Sequence, residues 1–153
     1  MKVKVKRKAK TSWHKSWTEV IQEAVEFSAA QFNLSKKKIQ VDVVLKNDPS
    51  VDYAGVCLTL NPMKRFVLII NAAYAESSDH ILELIFHEMT HVKQEFHNGL
   101  VMDDTTEAHY EGMVYSFASN QEFQEAYYDL PWEVEARAMQ KKLLNIWKKR
   151  LTF

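Results

Sequence analysis

The feature that most limits what this chain can fold into is the run His87-Glu88-Met89-Thr90-His91, set behind the apolar residues Ile81, Leu82, Leu84, Ile85 and Phe86. Two histidines four residues apart on a helix share one face, a turn apart. Their ring nitrogens can then converge on one cation at about 2 Å from each. Glu88 follows the first histidine and can reach a water on that cation without binding the cation itself. Zinc lowers the pKa of such a water towards ~7, so a neighbouring carboxylate can take its proton. The pattern therefore predicts a helix over about 79–97, capped from Ser77, Ser78 or Asp79 and stopped at Gly99. It also predicts one zinc ion on His87 and His91, with Glu88 as general base in peptide-bond hydrolysis.

A chain of 153 residues, 46% of them hydrophobic, suits one compact domain with a real core. Lys plus Arg (20) equals Asp plus Glu (20), so net charge does not favour a nucleic-acid or membrane partner. Cys57 is the single cysteine, which excludes an intrachain disulfide and fits a reducing compartment. No apolar run approaches the ~20 residues of a membrane span, and no apolar stretch follows the basic N-terminus as in a secretory signal. A cytoplasmic protein with a peptide or protein substrate and no membrane partner is expected.

Residues 1–10 are rich in Lys and Arg and read as a solvated tail or edge strand, with a nucleic-acid-binding arm as the alternative. The domain proper is expected over 11–153. Ser16 and Glu19 have capping-box spacing, and Trp17, Val20, Ile21, Ala24 and Phe27 recur at helical intervals up to about Asn33. Ile39, Val41, Val43 and Leu45 alternate with polar residues as in a half-buried strand. Residues 55–60 form a second strand, stopped by Asn61-Pro62. Residues 66–70 are apolar on both faces and suit a central strand. The stretch 101–130 reads as loop plus a hairpin around 109–117. Pro131 then opens a last helix with Trp132, Ala136, Met139, Leu143 and Ile146 on one stripe. The fold class is α+β, with the four aromatics Trp13, Trp17, Trp132 and Trp147 in the core or at its rim.

A catalytic zinc normally takes a third protein ligand. His97 has the spacing of the metzincin histidine. However, Gln94 stands where that class has a turning glycine. On a continuous helix His97 is rotated about 240° from His91. The other candidates are Glu133 and Glu135, which lie on opposite flanks of the last helix's apolar stripe. Oxyanion donors available between the motifs are Tyr127, Tyr128, His109 and Tyr110.

The pair of motifs, His87-Glu88-Met89-Thr90-His91 and then Pro131-Trp132-Glu133-Val134-Glu135-Ala136, resembles small zincin-like metallopeptidases of the gluzincin type. Phage-encoded zincins are similar, and SprT-like and ImmA/IrrE-like proteins more distantly so. The resemblance runs from about Gly55 to Arg137. It implies a minimal zincin fold: an N-terminal helix, a twisted mixed sheet of about three to four strands, the motif helix and a C-terminal ligand helix. It implies Glu133 as third ligand, with Ala136 leaving room for the helices to approach. Arg137 stands where some of these families carry an aspartate, so any partner that orients the ligands must come from elsewhere. Two readings compete with the peptidase. One is a zinc-binding regulatory protein without turnover. The other is a DNA-associated SprT-like protease tethered by residues 1–10.

Overall fold

The computed structural model describes residues 1–7, 15–104 and 106–150. Strand β1 (Lys2–Arg7) is followed by helix α1 (Lys15–Gln31), β2 (Gln40–Lys46), β3 (Gly55–Asn61), β4 (Arg65–Asn71) and helix α2 (Ser78–His97). A small antiparallel sheet comes next, formed by β5 (Val101–Asp104), β6 (Glu107–Tyr110) and β7 (Met113–Ser116). Helices α3 (Asn120–Ala126) and α4 (Pro131–Lys149) complete the described chain. The class is α+β, as the sequence predicts. Among the described residues no helix is long and apolar enough to cross a membrane.

The main sheet has the order β1-β2-β4-β3. β1 and β2 are parallel, as are β2 and β4, while β3 runs antiparallel to β4 and forms one edge. Alternation dictates which face is buried. Val41, Val43 and Leu45 of β2 line up with Phe66, Leu68 and Ile70 of β4, all fully buried under the helices. Ile21, Ala24 and Val25 from α1, Ile85, Phe86 and Met89 from α2, and Leu143 and Trp147 from α4 close that core. On the opposite face Asp42, expected to point outward, is buried beneath the Arg65 guanidinium at 2.8 Å.

The basic N-terminal stretch is an edge strand over Lys2–Arg7; its residues 8–10 lie outside the described part, as does Trp13. α1 begins at Lys15, one residue before the expected cap, and the Ser16 side chain lies outside the described part. The stretch 101–130 departs most from expectation, because it holds β5 and α3 in addition to the hairpin. α3 is capped by Ser119, whose hydroxyl accepts from the Glu122 amide, while the Glu122 carboxylate accepts from the Ala118 amide. Glu111 and Gly112 both have positive φ (51° and 79°), as a two-residue turn between β6 and β7 requires. This region has its own core of Leu100, Ala108, Tyr110, Phe123, Leu130 and Trp132. The Trp132 ring meets Tyr110 and Tyr115 edge-on, with centroids 5.6 and 5.3 Å away. Trp132 is thereby fixed at the start of α4, directly before Glu133.

Candidate metal centre

α2 is capped by Ser77, whose hydroxyl accepts from the His80 amide, and continues without a break to the Asn98 cap. Its buried stripe of Ile81, Leu82, Ile85, Phe86, Met89 and Val92 locks it onto the sheet. With that rotation fixed, His87 and His91 project from the flank that faces α4. Their ring centroids lie 4.9 Å apart. α4 crosses there, with Ala136 fully buried. Glu133 in its first turn points at both histidines: Oε2 lies 3.2 Å from His87 Nε2 and Oε1 lies 3.1 Å from His91 Nε2. The three residues offer ligand atoms all within 4.8 Å of one another, so the group could hold a metal ion.

The histidines are oriented by two glutamines: Gln94, which the sequence marks only as standing where metzincins have a glycine, and Gln140, which sequence reasoning did not single out. His91 Nδ1 lies 2.8 Å from Gln94 Oε1, and His87 Nδ1 lies 2.8 Å from Gln140 Oε1. The far end of each amide settles which way it points. Gln94 Nε2 donates to the Trp132 carbonyl (2.8 Å) and to Glu135 Oε1 (2.9 Å), both pure acceptors. Gln140 Nε2 donates to Glu83 Oε2 at 3.0 Å. Each amide oxygen must therefore face its histidine, and each Nδ1 must carry the hydrogen. In the neutral ring the lone pair is then left on Nε2, aimed at the common point with Glu133. Gln140 is seven residues beyond Glu133, two turns along the same helix face, so a helical wheel drawn from Glu133 would have found it.

Charge reinforces the grouping. Burial pulls His91 towards the neutral form, but its hydrogen bond to Glu133 and the nearby charges of Glu88 and Glu133 prevail and raise its pKa to about 9. Burial pushes Glu133 upward, yet the hydrogen bonds from His87 and His91 outweigh it and hold the carboxyl far below the usual range. Without a metal, this pair holds a proton where a dication would sit.

Glu88 is buried, 5% exposed, and lines an open cleft together with His91 and Glu133. Burial raises its pKa, partly opposed by His91 and His87, which suits a group that must take up a proton. Gly55, the first residue of β3, makes room for it: a Cβ at that position would lie 3.0 Å from Glu88 Oε1. The cleft is completed by Val56 and Cys57 of β3, Glu95 of α2, Leu100, Met102, Tyr127 and Trp132. Burial, followed by the charge of Glu133 and a hydrogen bond to it, keeps Tyr127 a phenol.

The remaining candidates lie elsewhere. Glu135 turns to Lys93 Nζ (3.0 Å), Gln94 and the Tyr110 hydroxyl (3.4 Å), so it supports Gln94 and does not face the cation position. His97 Nε2 lies 2.9 Å from the Phe32 carbonyl, on the far side of α2. His109 sits on β6 beside Glu107 at 3.3 Å. Tyr128 is exposed beneath the Arg137 guanidinium, 3.6 Å from its ring centroid. Of the four proposed oxyanion donors, Tyr127 is the one in the cleft.

No family model matches this chain, and neither the curated proteins nor the solved structures include one significantly similar to it.

Proposed function

We propose that this chain is a metal-dependent hydrolase and, more narrowly, a zinc peptidase of the gluzincin type. The observation that carries the reading is the position of Glu88. It is a buried carboxylate that shares a cleft with His91 and Glu133 but is not one of the three converging donors. A purely structural metal site has no use for an additional buried acid, because burying a carboxylate is costly. Two imidazoles and one carboxylate are a donor set that zinc accepts with one position left for solvent. In that place zinc would supply Lewis acidity, acidifying a water and polarising a carbonyl.

The protein's own groups supply the remaining chemistry. Glu88 takes a proton from the attacking water at its carboxylate and returns it to the departing amine. Tyr127 can donate its hydroxyl hydrogen to the oxygen of the carbonyl under attack. β3 is an edge strand whose first residues line the cleft, so an extended peptide can pair with its free side while its carbonyl faces the metal position. An open cleft beside a bare strand edge suits an unfolded segment more than a rigid compact ligand.

The test is hydrolysis of a mixed library of internally quenched peptides by the zinc-loaded protein. Activity should vanish with a chelator and return with zinc. Glu88→Gln should keep the metal and lose at least ~100-fold in kcat. Full activity in that variant would refute the mechanism.

A further inference from the structure

We propose that Glu95 forms a subsite for a lysine or arginine side chain of the substrate, next to the scissile bond. This rests on the peptidase reading above. Glu95 lies on α2 four residues past His91, about 6 Å further along the axis, and lines the same cleft. β3 runs alongside this part of α2. Alternation turns Gly55, Cys57 and Thr59 towards the helix, so that Gly55 abuts Glu88 and Thr59 donates its hydroxyl hydrogen to Glu95 Oε2. That bond fixes the carboxylate, and among the described residues no partner is seen for Oε1.

No cationic side chain among the described residues pairs with Glu95, although it is only half exposed. Among the described residues no Lys or Arg lines the cleft. With a dication held by His87, His91 and Glu133, the charges of Glu88 and Glu133 would be balanced and that of Glu95 would not. A partly buried carboxylate without a cation is unfavourable, and a ligand that brings one relieves it. Leu100 and Met102 line the same cleft and offer an apolar wall for an aliphatic stem. An apolar wall ending in a fixed carboxylate fits a long side chain with a terminal cation. An extended chain on β3 repeats about every 6.7 Å on one face, so one helical turn corresponds to a side chain adjoining the scissile peptide.

The test uses N-acetylated, internally quenched peptides that differ only in the residues flanking the cleaved bond: Lys, Met or Glu on either side. The zinc-loaded wild type should prefer Lys on one side. In Glu95→Gln the Lys-to-Met ratio of kcat/KM should fall roughly 10- to 100-fold, and Glu95→Lys should favour Glu. A wild-type ratio near one, or an unchanged ratio in Glu95→Gln, would overturn the proposal. A gain seen only when the acetyl group is removed would assign Glu95 to a free α-ammonium and overturn the side-chain subsite. A binding arm keeps the two readings separable. Zinc-loaded Glu88→Gln should bind the Lys peptide, by fluorescence anisotropy, roughly 10-fold or more tightly than Glu88→Gln/Glu95→Gln does. If the wild type cleaves nothing, the peptidase reading fails, and equal binding by these two variants would separately refute the role of Glu95.

Discussion

His91 donates its Nδ1 hydrogen to the side-chain oxygen of Gln94, three residues later on the same helix, at 2.8 Å. Gln94 is fully buried, and its amide nitrogen binds the Trp132 carbonyl at the start of the helix that carries Glu133. One side chain thus sets the tautomer of one candidate ligand and the position of the segment bearing another. Gln94→Leu keeps a similar volume but removes both functions. It should weaken metal binding about 10- to 100-fold and cost roughly 1–3 kcal/mol of stability through the unpaired groups left behind. Competition with a chromogenic chelator and thermal melts of the metal-free protein would measure the two effects separately.

Gly55 is matched to Glu88 by space alone. Its φ is not in the left-handed region, so the glycine answers to the 3.0 Å approach and not to a turn. Gly55→Ala would push the Glu88 carboxylate from its seat without touching His87, His91 or Glu133. Metal content should stay at the wild-type level while kcat falls several-fold, up to about 10-fold, since the carboxylate must give way by a few tenths of an ångström and a misplacement of about 1 Å costs about 100-fold. Steady-state kinetics beside elemental analysis of the same preparation would check this. Loss of metal in the alanine variant would mean that Gly55 has a different role.

Metal uptake should release protons. Without a metal, His91 stays protonated up to about pH 9, held mainly by Glu133 against the opposing effect of burial. A cation can bind Nε2 only once that proton has left, so at pH 7 about one proton should appear per ion bound. Calorimetric titrations in buffers of different ionisation enthalpy would count it. The sign for stability follows from the same shift. A raised pKa stabilises the folded metal-free protein fully below the ordinary histidine value of 6.5, and the contribution disappears as pH rises through about 9. The melting temperature of the metal-free protein should therefore drop across that window, and the metal-loaded form should not share the drop.

The parts legible in the sequence were those written as strong local periodicity. Alternation in residues 39–45 gives β2, and the apolar run 66–70 gives the central β4. The His87/His91 spacing on a strongly amphipathic helix gives the face of the centre. Choosing Glu133 over Glu135 could not come from the helix stripe, which leaves both on its flanks. In the structure the choice follows from the crossing of α2 and α4 at Ala136, and from Lys93, Gln94 and Tyr110 engaging Glu135. β5 and α3 were missed because each is short, β5 is held by pairing with β6, and α3 buries only Phe123, although Ser119 and Glu122 do carry a capping signal. The orienting roles of Gln94 and Gln140 were not legible because an amide that orients a histidine reads in sequence as an ordinary helix former.

The central claim is that a carboxylate from the first turn of α4 joins two imidazoles of α2 around one cation. Metal content of purified wild type, Glu133→Gln and Glu135→Gln, each dialysed against limiting free zinc, tests it most directly. The account predicts about one zinc per chain in the wild type, a large loss in Glu133→Gln, and near wild-type content in Glu135→Gln. Full zinc occupancy in Glu133→Gln together with loss in Glu135→Gln would contradict it.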